Sequence, residues 1–165
     1  AAAQGHADAQ YGIGNIYDKI ENYKKAIEWW EKAAAQGHAY SQYNIGNMYY
    51  GGYGVKQNYK KAKEWWEKSA AQGHISSNNN LGVLYYQQGL FEKSMQSFQD
   101  AISVNPKYNT AIENLGDLYL KMAVQTYKKV LANDLNNESS LIKYMKTKSL
   151  AIDLTLSNLQ KTIKN

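Results

Sequence analysis

The chain has 165 residues and is 44% hydrophobic and 13% aromatic, a composition that excludes disorder and suits one domain or a handful of repeats. Its net charge of +5 is carried by Lys alone; the absence of Arg and the alternation of Lys with Glu, as in Lys60-Lys61-Ala62-Lys63-Glu64, argue for a solvated helix face and against nucleic-acid binding. With no cysteine, disulfide and thiolate chemistry drop out, and no apolar run approaches the ~20 residues of a membrane-crossing helix.

A six-residue phrase opens the chain, Ala1-Ala2-Ala3-Gln4-Gly5-His6, and returns as Ala33-Ala34-Ala35-Gln36-Gly37-His38 and Ser69-Ala70-Ala71-Gln72-Gly73-His74. Self-similarity at a period in the thirties marks a solenoid, whose units are too small to bury their own apolar faces and must stack. Each unit reads as two helices. The first unit places Ile13-Gly14 and Tyr17 on its leading helix, then Ala26 and Trp30 on the second, with Asn22 as N-cap and Gly37 as stop. The second unit repeats this with Ile45-Gly46, Tyr49, Asn58, Ala62, Trp66 and Gly73. The third has Leu81-Gly82, Tyr85, Ser94 and Phe98, and the fourth Leu115-Gly116, Tyr119, Ala123 and Tyr127. Gly beside the apolar residue lets the paired helix approach closely. Glu28–Lys32 and Glu64–Lys68 have the favourable i,i+4 order, worth about 0.2–0.5 kcal/mol each.

Spacing locates the irregularities. Ile13 to Ile45 is 32 residues, Ile45 to Leu81 is 36 and Leu81 to Leu115 is 34. The second unit holds four extra residues in its inner loop, within Gly51-Gly52-Tyr53-Gly54-Val55, and the longer return turn of the third contains Pro106. The fourth allows a step of only four from Tyr119 to Ala123, where nine is expected, so either a turn is missing from the chain or two helices fuse; the spacing of the other units favours a missing turn. Beyond Asn137 the repeat fades, while Ile152, Leu156, Leu159 and Ile163 keep helical spacing.

Residues 1–80 resemble Sel-one-like repeats (SLRs), through the Ala-Ala-x-Gln-Gly-His phrase, the Gly-Gly-Tyr-Gly-Val loop, the Asn-Tyr-Lys-Lys-Ala start and the Trp-Trp-Glu-Lys end. Residues 81–137 more loosely resemble tetratricopeptide repeats (TPRs), with Leu81-Gly82-Val83-Leu84-Tyr85, Gly89, Ala101-Ile102 and Asn105-Pro106. The first repeat departs from the SLR pattern in lacking the glycine loop. The resemblance implies an all-α, right-handed α-solenoid of antiparallel helix pairs. Its repeats are expected at 1–36, 37–72, 73–106 and 107–137, with a C-terminal capping helical segment over 138–165.

Catalytic groupings are absent: no cysteine nucleophile, no Gly-x-Ser-x-Gly elbow and no Gly-Lys-Ser/Thr phosphate loop. His6, His38 and His74 stand one repeat apart, so they read as turn residues and not as ligands of one metal ion. Trp30 and Trp66 read as core between paired helices, with Trp29 and Trp65 flanking that stripe. What remains is a groove. In the TPR family the first helices line the concave side, and Asn beside the Leu-Gly pair hydrogen-bonds the backbone of a bound peptide. The matching residues here are Asn15, Asn44, Asn47, Asn80 and Asn114, whereas Gly12, Val83 and Asp117 replace Asn elsewhere; Tyr40, Tyr50 and Tyr86 are expected to border the same groove. A carboxamide offers a donor and an acceptor at once and so suits a peptide bond of any sequence.

The expectation is therefore a non-enzymatic adaptor or scaffold that binds a protein or extended peptide on its concave face. It calls for no cofactor and no metal, for neither nucleic acid nor membrane insertion, and leaves oligomeric state and compartment open. A second class implied by the resemblance is a bacterial immunity protein that blocks a secreted toxin enzyme. No signal peptide is visible, and the start inside a repeat phrase reads as a fragment or processed form.

Overall fold

The structure, a computed structural model, describes residues 2–133. Among them are seven helices and no strand: α1 (Ala2–Lys19), α2 (Tyr23–Ala34), α3 (Ala39–Gly51), α4 (Tyr59–Ala70), α5 (Ile75–Gln87), α6 (Phe91–Val104) and α7 (Asn109–Asn133). The chain divides into two compact units, Ala1–Leu118 and Tyr119–Asn165. In the first unit α1 packs on α2, α3 on α4 and α5 on α6, and the pairs stack through α2 on α3 and α4 on α5. This is the α-solenoid the repeats imply. Of the second unit, residues 119–133 are described, all helical, with Tyr119, Leu120 and Val124 exposed. The capping segment expected over 138–165 lies outside the described residues.

Each pair is joined at the glycine of its first helix. A Cβ added to Gly14, Gly46 or Gly82 would run into the ring of Trp30, Trp66 or Phe98 respectively. Those rings are almost wholly buried, as are Ala26, Ala62 and Ser94, so each aromatic lies flat on a glycine and fills the space between its two helices. One core gathers Ala26, Ile27, Trp30, Ala34, Ile45 and Met48, and a second Ala62, Trp66, Leu81 and Leu84. Met48 and Leu84 are buried where they stack on the preceding pair, and Leu118 is buried too, whereas the equivalent Ile16 is 64% exposed, since no described helix lies before α1.

The recurring six-residue phrase works residue by residue. Ala33 and Ala34 are buried at the end of α2. Gln36 Nε2 donates to Gln10 Oε1 at 2.7 Å, and Gln72 Nε2 to Gln42 Oε1 at 2.7 Å, tying each turn back to the first helix of its own repeat. Gly37 (φ +87°) and Gly73 (φ +79°) reverse the chain. His38 and His74 then cap α3 and α5: Nδ1 accepts the backbone N–H of Ser41 at 3.2 Å and of Ser77 at 3.3 Å. Asn22 and Asn58 cap α2 and α4 as expected, accepting from Lys25 N–H at 3.4 Å and Lys61 N–H at 3.0 Å.

Two expectations are corrected. No turn breaks the fourth repeat: α7 runs as one helix of 25 residues, because Leu118-Tyr119-Leu120-Lys121-Met122-Ala123 contains good helix formers and no Gly, Pro or Asn to stop it. Nor do Lys32 and Lys68 pair with Glu28 and Glu64. Their ammonium groups lie 3.9 Å and 4.3 Å from the ring centroids of Trp29 and Trp65, a cation–π contact worth about 0.5–1 kcal/mol, more than an exposed i,i+4 pair.

Candidate functional site

The first helices α1, α3 and α5 carry a row of asparagines whose amide orientations are fixed from behind. Trp30 Nε1 donates to Asn15 Oδ1 at 3.1 Å, and Trp66 Nε1 donates to Asn47 Oδ1 at 3.1 Å. An indole N–H can only donate, so the oxygen of each carboxamide must face the tryptophan and its NH2 must point elsewhere. The same oxygens accept from the next repeat: Asn80 Nδ2 donates to Asn47 Oδ1 at 3.1 Å, and Asn44 Nδ2 to Asn15 Oδ1 at a longer 3.5 Å. Asn44 and Asn80 thus turn their nitrogens inward and keep their own oxygens free of partners among the described residues. The row reads donor, acceptor, donor, acceptor along Asn15, Asn44, Asn47 and Asn80.

Asn47 and Asn80 open onto a cavity of about 410 Å3 lined by Tyr43, Asn47, Tyr50, Gly51, Tyr53, Trp66, Asn80 and Val83. Tyr50 is held there by ring contacts of 5.3 Å to both Tyr59 and Trp66, and its hydroxyl lies 3.0 Å from Gln87 Nε2. Tyr53 arrives on the four-residue insertion, which is anchored: Gly54, at φ +69°, comes so close to the backbone at Tyr23 and Lys24 that a side chain would collide, and the Tyr53 ring lies 5.5 Å from that of Tyr23.

The structure therefore brings Asn47, Tyr50 and Asn80 together, with Asn15 and Asn44 paired one repeat earlier. It does not bring in the others. Asn114 Nδ2 donates to the buried Asn79 Oδ1 at 2.8 Å. Tyr40 sits on the first turn of α3 against His74 at 4.7 Å and Tyr11 at 6.1 Å. Tyr86 packs toward Phe91 at 6.0 Å. Sequence reasoning missed Tyr43 and Tyr53 as lining residues. The signal for Tyr43 is its place one helical turn before Asn47, and for Tyr53 its place at the centre of the insertion.

Among the described residues no group of three His, Asp or Glu could hold a metal ion, and no helix is long and apolar enough to cross a membrane. His38 and His74 spend their Nδ1 atoms on helix caps, and His38 Nε2 also lies 3.2 Å from Asp8 Oδ1, whereas His6, expected in a turn, lies within α1.

The family models for the Sel1 repeat match residues 7–38 and 39–74, and that for the tetratricopeptide repeat matches residues 76–108. The chain belongs to the Sel1-like and tetratricopeptide repeat family. A Sel1 repeat protein from Oxalobacter formigenes superposes with a TM-score of 0.65 at 31% identity, covering 72% of this chain and 51% of that one. A protective antigen of uropathogenic Escherichia coli strains, displaying an SLR fold, does so with a TM-score of 0.64 at 34% identity, over 85% of this chain and 30% of that one. This chain thus spans about half of the first protein and under a third of the second. No curated protein matches. Repeats of this family are generally protein-interaction modules and typically non-catalytic scaffolds.

Proposed function

We propose that this chain is a non-enzymatic interaction module that holds an extended segment of a protein partner along the face formed by α1, α3 and α5. The observation that carries the reading is the row of carboxamides with fixed polarity, ending at an open aromatic cavity. A peptide backbone in extended form offers C=O and N–H groups that such a row can satisfy without regard to side-chain sequence. Held in place by the tryptophans, the amides lose little freedom on binding, which lowers the cost of association.

The test is selection of a displayed library of random peptides on the wild-type chain and on the double variant Asn44→Ala/Asn80→Ala. Both residues donate to an Asn oxygen that the tryptophan also holds, so their truncation leaves Trp30 and Trp66 satisfied and the fold intact. The expected result is enrichment on the wild type, loss on the variant, and a melting temperature within a few degrees of wild type. Equal enrichment on both would falsify the assignment.

A further inference from the structure

The cavity at Asn47 and Asn80 adds a side-chain chemistry to the backbone reading that the asparagine row provides. Its lining is four aromatic side chains, one Val, one Gly and two carboxamides; none carries a charge at neutral pH. At about 410 Å3 it stands near the small end of the roughly 300–1,000 Å3 that enclose small ligands, which is room for one large side chain with its adjoining backbone and too little for a folded element. A charged group seated there would lose its water and find no counter-charge, a cost that polar groups alone do not recover.

The polarity at the rim adds a requirement on the partner's backbone. Asn47 Oδ1 accepts from both Trp66 and Asn80, so Asn47 presents N–H groups and Asn80 presents its oxygen. Asn15 and Asn44 repeat the order one pair earlier. A strand crossing from α3 to α5 must offer a C=O at Asn47 and an N–H at Asn80.

From these features we infer that the cavity is a specificity pocket for one bulky, uncharged side chain, aromatic or branched aliphatic, carried on an extended partner strand and flanked by uncharged residues. The inference rests on the groove reading above and sharpens it. Anchors of this kind, a large apolar side chain in a desolvated aromatic pocket, supply most of the affinity in peptide interfaces.

Val83 lines the pocket, is half-buried on α5 and takes no part in the Trp66–Asn47–Asn80 hydrogen bonds, so changing its size changes the room in the pocket. The experiment takes peptides selected on the wild type, made synthetically, and titrates them into wild type, Val83→Phe and Val83→Ala while following the indole N–H signal of Trp66 by NMR. The selected peptides are expected to share one Phe, Tyr, Trp, Leu or Ile. Changing that residue to Ala is expected to weaken binding at least about tenfold, and changing it to Asp or Lys more. Val83→Phe should weaken the largest anchors about tenfold and favour smaller ones, and Val83→Ala should do the opposite, so the two variants check each other if one folds poorly. Peptides that need Asn44 and Asn80 but share no bulky residue, and bind all three Val83 forms equally, overturn the pocket while leaving the groove. Failure to select any peptide overturns both.

Discussion

Repeats one and two differ from repeat three in how they satisfy the same three structural needs. In the first two, an indole lies on the glycine and its N–H is received by Asn15 or Asn47; in the third, Phe98 lies on Gly82 and the residue equivalent to Asn47 is Val83. The turn after each of the first two is tied by a Gln–Gln bond and closed by a His cap. The turn after the third has Pro106 and Tyr108 where Gln72 and His74 stood, and Asn105 Oδ1 accepts the Lys107 N–H at 3.0 Å instead. Donor and acceptor vanish together at the glycine seat, where Phe98 and Val83 stand for Trp66 and Asn47, and at the cap, where Tyr108 and Ala111 stand for His74 and Ser77. Polar pairs in a tight interior behave as units, because one partner without the other leaves a buried group with no bond. The extent of the proposed binding face follows from this substitution: the oriented asparagines accompany the tryptophans, and the row loses its pattern where Phe98 begins.

The fourth repeat extends the contrast. There α7 continues as one helix, and a Cβ at Gly116 meets nothing within contact distance, whereas at Gly46 it meets Trp66. The largest expected difference therefore comes from one substitution made at two equivalent glycines. Gly46→Ala forces the Trp66 ring off its seat and should cost about 1–3 kcal/mol. Gly116→Ala removes a poor helix former from an exposed helix position and should gain up to about 1 kcal/mol. Urea denaturation of the two variants checks the pair. Equal effects would mean that the glycine serves the helix itself and not the aromatic.

A smaller effect tests whether the indole and its asparagine act as a unit. Asn47→Val leaves the buried Trp66 N–H without an acceptor, and Trp66→Phe leaves a gap beside a carboxamide. Together they recreate the pairing of Val83 and Phe98. The double variant should be more stable than the sum of the single losses predicts, by about 1 kcal/mol in a double-mutant cycle. Strict additivity would show that the hydrogen bond contributes nothing and that Asn47 is free to turn.

The paired helices, the glycine–aromatic seats and the Asn caps were legible in the sequence because each recurs at a fixed offset, and repetition exposes whatever packing every unit needs. The asparagine positions were legible too, but not their orientation, which depends on a tryptophan 15 or 19 residues away that reads from sequence as plain core. Lys32 and Lys68 were assigned to the wrong partner because an i,i+4 carboxylate is visible in sequence and the face of a neighbouring indole is not. The unbroken α7 followed from local helix propensity winning once the spacing left no room for a reversal. Tyr53 depended on where the insertion folds, which Gly54 decides through its approach to Tyr23.

The smallest effect separates a histidine cap from an asparagine cap. His74 Nδ1 accepts the Ser77 N–H and lies 3.0 Å from Ser77 Oγ, with the rings of Tyr40 and Tyr43 each 4.7 Å away. Burial pushes its pKa below the usual histidine value, and protonation would replace the accepting lone pair with a competing donor. The unfolded chain therefore binds the proton more readily than the folded one. Stability from this cap is complete above about pH 6.5 and is lost as the pH falls from there through the folded pKa, with a slope of at most about 1.4 kcal/mol per pH unit. His74→Asn keeps a capping acceptor of the kind Asn22 and Asn58 already supply, but one that does not titrate. Melting temperatures of the wild type should fall on acidification through this window more steeply than those of His74→Asn. Parallel curves would show that the cap survives protonation, which its geometry allows only if Ser77 Oγ turns to accept from Nδ1 and the Ser77 N–H finds another partner.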